Sequence, residues 1–95
     1  SYTIATAVEG ARRGAELMDT PMDEAKVAIV GAAGSIGRTC ALMLAHDAAS
    51  VTLIGRSVEK LAPVRAEVEA RNGHVSVTSD IAAGLSDADV IITVT

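Results

Sequence analysis

The chain has 95 residues, 49% of them apolar but only 1% aromatic, and a formal charge of −4. That length allows one domain, its acidic balance leaves no basic field for nucleic acid or anionic lipid, and its few aromatics leave no stacking platform for bases. No apolar run reaches the length of a membrane span and no charged-then-apolar signal segment opens the chain, while a single cysteine, Cys40, excludes an internal disulfide and makes a reducing cytoplasm the expected location.

Thr3 to Met18 is predicted as a helix. Ile4, Val8, Ala11, Ala15 and Met18 recur on one face, and Glu9 with Arg13 and Arg12 with Glu16 are opposite charges four apart on the other. Gly10 and Gly14 each cost up to about 1 kcal/mol relative to Ala in a helix interior. Two readings account for them: a packing helix that sits tightly on a neighbour, or a connecting helix arriving from a substrate domain elsewhere. Asp19-Thr-Pro21 ends the helix, because Pro restricts the residue before it and cannot continue the hydrogen-bond ladder. Met22 to Ala25 is a short polar approach.

Lys26-Val-Ala-Ile-Val30 is a short apolar run rich in β-branched residues, the pattern of a strand buried on both faces. Gly31-Ala-Ala-Gly34-Ser-Ile-Gly37 follows, and Ser35 to His46 reads as a helix with Ile36, Cys40, Met43 and Leu44 in phase. A strand that turns into a helix within a few residues needs backbone angles that glycine reaches cheaply. Gly31 would make the tight turn. Gly34, lacking a Cβ, would admit a pyrophosphate, and Gly37 would let the helix lie close to the strand. The free N–H groups of Ser35, Ile36 and Gly37 would then face the ligand at the positive end of the helix dipole. The spacing is one residue longer than the commoner G-x-G-x-x-G, so the expected contacts extend over Gly31, Ala33, Gly34, Ser35, Ile36 and Gly37. The competing reading is a flavodoxin-like or regulatory domain that keeps the turn for packing.

Cys40 lies in phase with the buried face of this helix and has no base near it in sequence, so it reads as a packing residue rather than a nucleophile. His46 and His74 read as surface residues, and no His, Cys, Asp and Glu spacing suggests a metal.

Val51 to Ile54 is a second buried strand, ending in Gly55-Arg56-Ser57. Enzymes that bind the non-phosphorylated cofactor usually carry Asp or Glu here for the ribose 2′-hydroxyl. An acidic side chain repels a 2′-phosphate, whereas a guanidinium pairs with it bidentately. Arg56 and Ser57, with Lys60 a turn further on, therefore favour NADP over NAD. The alternative for Arg56 is stacking on the adenine without phosphate preference.

Ser57 suits the N-cap of a helix over Val58 to Arg71, with Val58, Leu61, Val64 and Val68 buried. Pro63 predicts a kinked or separate first turn. Asn72-Gly73 predicts a left-handed cap. His74 to Thr78 alternates as a third strand. Ser79 or Asp80 caps a short helix, Ile81 to Leu85, although Asp80 also has the position to bond an adenine amino group. Val90 to Val94 is a fourth strand, and its carboxyl end, Val94 and Thr95, should face the middle or the nicotinamide side of the cofactor. Together these elements predict a doubly wound α/β fold, with four parallel strands ordered 3-2-1-4, right-handed crossovers and an N-terminal helix.

The run K-V-A-I-V-G-A-A-G-S-I-G, then V-T-L-I-G-R-S-x-E-K-L, then A-D-V-I-I-T-V-T covers most of the chain. It resembles the Rossmann-type cofactor domain of the long-chain acyl-(acyl carrier protein) reductases, and more broadly the shikimate-dehydrogenase-like and methylene-tetrahydromethanopterin-dehydrogenase-like domains. The glycine spacing also resembles that of extended short-chain dehydrogenases. The resemblance implies an NADP(H) site at Gly31, Gly34, Gly37, Arg56 and Ser57, with catalytic residues outside this chain. The expected organisation is an N-terminal helix (1–20) and a nucleotide-binding core (25–95), excised from a larger two-domain enzyme.

The expected function is the cofactor domain of a cytoplasmic oxidoreductase. It would move hydride to or from a carbonyl, thioester or methylene-type substrate, small or carrier-bound, and a homo-oligomer is compatible with this. The alternatives are a non-catalytic nucleotide-sensing domain and a short-chain-type reductase. The latter needs a Tyr-x-x-x-Lys pair, which Tyr2 followed by Thr6 does not supply.

Overall fold

The computed structural model describes residues 2–17, 19–71 and 73–94, with side chains from residue 9 onward. The roles expected of the Ile4 and Val8 side chains, and of Met18, Asn72 and Thr95, fall outside the described residues.

In chain order the elements are α1 (Tyr2–Leu17), a 3-10 turn (Met22–Glu24), β1 (Lys26–Val30), α2 (Ser35–Asp47), β2 (Ser50–Ile54), α3 (Val58–Ala70), β3 (Val75–Thr78), α4 (Ile81–Leu85) and β4 (Val90–Thr93). The strands form one parallel sheet in the order β3-β2-β1-β4, as expected. Val30 stands opposite Ile54 and Thr93, and Ile54 opposite Thr78. All four strands therefore end on one level, and the loops that leave them gather along one rim.

β1 runs through the centre, and Val27, Ala28 and Ile29 are fully buried, which is why its apolar run is continuous rather than alternating. On one face Val27, Ile29, Val51, Leu53, Val90 and Ile92 pack beneath Ala11 and Ala15 of α1, Ala41 and Leu44 of α2, and Leu61, Val64 and Val68 of α3. Each Val, Leu or Ile so buried contributes about 1.5–3 kcal/mol. α4 packs on the opposite face, where Gly84 lies against Ile54. At the start of β4, the Lys26 N–H donates to the Asp89 carboxylate (2.9 Å) and the Asp89 N–H donates to the Lys26 carbonyl (2.8 Å), a clasp that sets the β4 register on β1.

α1 ends at Leu17 and the segment from Asp19 to Pro21 follows it, as expected, but other local expectations change. Asp19 takes a left-handed conformation (φ 55°), its N–H donates to the Glu16 carbonyl, and the Thr20 N–H donates to the Ala15 carbonyl, the paired bonds of a Schellman cap. Glu9 and Arg13 pair as expected at 3.3 Å, but Arg12 pairs with Asp47 at the end of α2 instead of with Glu16. Neither glycine of α1 serves a close approach: a Cβ at Gly10 would meet nothing within 4 Å, and one at Gly14 would make ordinary contact with Val90 at 3.8 Å.

In α2 the buried residues are Gly37, Cys40, Ala41 and Leu44, whereas Met43 is exposed and Ile36 only half-buried. The small residues fix the phase, because they let the helix come nearest the sheet. Val58 is likewise exposed, and Leu61, Val64 and Val68 form the buried stripe of α3 without it. α3 also runs unbroken through Pro63. That ring is exposed and removes its bond from the exposed first turn, at Glu59, where water can replace it. Ser57 holds the N-cap position without a side-chain capping bond. The Gly73 N–H closes α3 by donating to the Val68 carbonyl at 3.0 Å; the left-handed cap expected at Asn72-Gly73 rests on Asn72, outside the described residues. Asp80 is the cap of α4, its carboxylate accepting from the Ala83 N–H at 3.1 Å.

Candidate functional site

The turn after β1 is built by its glycines. Gly31 has φ +87°, and a Cβ there would land on the Val94 carbonyl oxygen at the end of β4. The Gly31 N–H donates to the Ile54 carbonyl (3.0 Å), so the turn remains tied to β2 as it leaves β1. At Gly37 a Cβ would strike the Gly31 carbonyl oxygen and lie 2.7 Å from the Ala32 Cα. Gly37 thus seats α2 on the turn itself rather than on the strand.

Gly34 differs from both. Its backbone is extended (φ −76°, ψ 165°), and a Cβ would find only the Gly31 carbonyl oxygen, at 3.8 Å. The fold has no need of glycine there, and the side left open is the side a ligand would use.

Gly34 is also the N-cap of α2, with no side chain capping it, and its carbonyl accepts the first helical bond, from the Arg38 N–H at 2.8 Å. The N–H groups of Ser35, Ile36 and Gly37 therefore have no acceptor among the described residues. They lie at the positive end of the 13-residue α2. The cleft at this point measures ≈ 250 Å³ and is lined by Gly31, Gly34, Ser35, Ile36, Gly37 and Val94. Of the contacts expected on this turn, Ala33 is exposed and stands outside that lining. A Cβ-free approach, three unengaged donors and a helix dipole fit a pyrophosphate.

Since the Gly31 N–H reaches the Ile54 carbonyl, Arg56 lies two residues beyond the point where β2 meets the turn. Arg56 and Lys60 are exposed and form no ion pair among the described residues, and the Ser57 hydroxyl is not spent on capping. The Asp80 carboxylate, by contrast, is committed to the Ala83 N–H.

Two features escape a reading of the sequence. Val58 and Ile81 are 46% and 55% exposed, and each begins a helix just past the end of a strand, on the neighbouring strands β2 and β3. Their position at a helix start was the available signal; helical periodicity alone assigns Val58 to the core. The second feature is a two-pronged ion pair between α2 and α3. Arg38 Nε donates to Glu67 Oε1 (2.8 Å) and Arg38 Nη2 to Glu67 Oε2 (2.7 Å). Its hydrogen bond, then its charge, holds the Arg38 guanidinium above its ordinary range, and the same bond holds the Glu67 carboxyl below its own.

Cys40 is fully buried, and burial pushes its thiol up, away from nucleophilic ionisation at neutral pH. Among the described residues no cluster of His, Cys, Asp and Glu can hold a metal ion, and no helix is long and apolar enough to cross a membrane.

A parallel 3-2-1-4 sheet with this turn at its centre defines a Rossmann-type nucleotide-binding domain of the dehydrogenase kind. Residues 13–95 match the shikimate / quinate 5-dehydrogenase family, and the chain belongs to that family, one of the groups its motifs resemble.

The fold is similar to shikimate 5-dehydrogenase from Listeria monocytogenes, solved with shikimate and NAD, at a TM-score of 0.69 and 12% identity over 95% of this chain and 34% of that one. It is similar to glutamyl-tRNA reductase from Methanopyrus kandleri (TM-score 0.68, 23% identity, 94% of this chain and 21% of that one). It is also similar to quinate dehydrogenase from Corynebacterium glutamicum, solved with NAD (TM-score 0.67, 22% identity, 95% and 33%). The chain thus spans between 21% and 34% of the length of these relatives. A comparison with curated proteins returns no significant match.

Proposed function

We propose that this chain binds NADP(H) as the cofactor domain of a cytoplasmic oxidoreductase whose substrate-binding and catalytic residues lie in another domain. The observation that carries the proposal is the set of unengaged N–H groups at Ser35, Ile36 and Gly37, which open over a glycine the fold itself does not require. Those donors, with Gly31 and Gly34 beneath them, would hold the pyrophosphate. Arg56 and Ser57 would take the 2′-phosphate, with Lys60 adding charge. Val58 and Ile81 would flank the adenine, and Val94, just past β4, would face the middle or the nicotinamide side of the cofactor.

The cofactor itself supplies hydride chemistry; the protein's part is to orient it and neutralise its phosphates. The family match supports an alcohol or carbonyl substrate, held by a domain that the relatives' greater length accommodates. The preference for NADP rests on Arg56 standing where an acidic side chain would select NAD.

Calorimetric titration of the protein with NADPH and, separately, NADH tests this. Tighter binding of NADPH by about tenfold is expected. Arg56→Asp should abolish that preference and Gly34→Ala should abolish binding of both while leaving the fold intact. A Gly34→Ala variant that binds as wild type does would refute the cleft, and equal affinities for NADPH and NADH in wild type would remove Arg56 as the selector.

A further inference from the structure

We propose that Arg38 and Glu67 are positioning residues that hold the two halves of the cofactor site at a fixed spacing; this rests on the reading of the cleft given above. The pyrophosphate half is the first turn of α2, seated on the glycine turn by the contact of Gly37 with Gly31 and Ala32. The ribose half is the Gly55-Arg56-Ser57 segment leading into α3. Its backbone is held at one end, where the Gly55 N–H donates to the Thr78 carbonyl (3.3 Å), but its polar side chains are not: Ser57 makes no capping bond and Arg56 forms no ion pair among the described residues. Leu61 packs beneath Gly55, but an apolar contact of this kind does not define direction.

The directional link between the two helices is the Arg38–Glu67 fork. Arg38 lies in the first turn of α2, directly after the three donors, and Glu67 lies on α3. A planar guanidinium with two parallel bonds to one carboxylate fixes angle as well as distance. Beside the Gly31–Ile54 bond that ties the turn to β2, a second chain of contacts therefore runs from the turn to α2, through the fork to α3, and back to Arg56. In the same contact Glu67 neutralises the Arg38 cation, one residue past the last of the three donors.

A double-mutant cycle separates positioning from charge. Arg38→Gln, Glu67→Gln and the variant carrying both are titrated with NADPH and NADH, and their thermal unfolding is recorded. If the fork positions the site, both single variants weaken NADPH by about fivefold or more, NADH is weakened less, and the combined variant is no worse than either single one. If the residues act through charge alone, Arg38→Gln weakens and Glu67→Gln strengthens both cofactors alike, and the proposal is overturned. Unchanged affinities in the singles overturn it too, as does a loss equal for both cofactors that follows the unfolding midpoint. A wild-type protein that binds neither cofactor refutes the cleft itself, and the positioning role with it.

Discussion

Replacing Gly37 with alanine should cost stability even though the position lies in a helix, where alanine is ordinarily the better residue. Alanine in place of an interior helical glycine gains up to about 1 kcal/mol. At Gly37 the new Cβ would strike the Gly31 carbonyl oxygen and lie 2.7 Å from the Ala32 Cα. Both obstacles are backbone, so no rotamer change relieves them, and α2 would have to lift off the turn. Overpacking of this kind costs about 1–3 kcal/mol, with rigid backbone contacts toward the upper end, leaving a net loss of about 1–2 kcal/mol.

Gly10→Ala supplies the internal control. Nothing lies within 4 Å of the Cβ it would add, so the helical gain should appear undiminished. The chain has one tyrosine and no tryptophan, so urea unfolding is best followed by far-ultraviolet circular dichroism. The midpoints should fall in the order Gly10→Ala, wild type, Gly37→Ala. If Gly37→Ala matches or exceeds wild type, the contact of α2 with the turn is not the one described.

Three further outcomes are expected. Asp19→Gly should raise stability by up to about 1 kcal/mol in the same assay, because the cap of α1 holds an L-residue at φ 55° where glycine is unstrained. Glu67, whose carboxyl is lowered by Arg38 and further by the charge of Arg71, contributes stability that is present above the ordinary carboxylate range and lost as pH falls through its lowered value. Wild type and Glu67→Gln should therefore differ in unfolding midpoint at neutral pH and converge in acid; a gap that persists in acid would show that the ionised carboxylate is not its source. Cys40 should resist alkylation in the native protein and react once urea unfolds it, and prompt native labelling would contradict its burial.

The core of this fold was legible because it is local. Val27–Val30 announces itself as an unbroken apolar run and Val51–Ile54 as one broken only by Thr52, and the glycine turn between β1 and α2 follows from spacing alone. From those elements the sheet order follows, through the right-handed crossover rule. The errors arise where tertiary contact overrides local pattern. Met43 and Val58 fit a helical stripe, yet they face outward, since small residues at Gly37 and Ala41 set the phase of α2 and Leu61 sets that of α3. Pro63 breaks helices in isolation and is harmless on an exposed turn. Arg12 has an ideal partner four residues away in Glu16, but it joins Asp47 across a helix contact that periodicity does not reveal. The Arg38–Glu67 fork was hidden for the same reason: its partners are 29 residues apart.

The clasp between Lys26 and Asp89 also bears on the order in which the molecule assembles. β1–β2 and β2–β3 join strands that follow one another in sequence, whereas β4 reaches β1 from 63 residues away. Closing the longer loop costs more chain entropy, and it comes after the nearer pairings have formed. Val94, the wall of the cleft opposite α2, directly follows β4, so the wall is expected to be the last part laid down and the first to open. Amide exchange should show this as faster turnover at Ile92 than at Ile29 or Leu53. A ligand seated against Val94 would slow that opening, making occupancy of the cleft and closure of the sheet edge a single equilibrium.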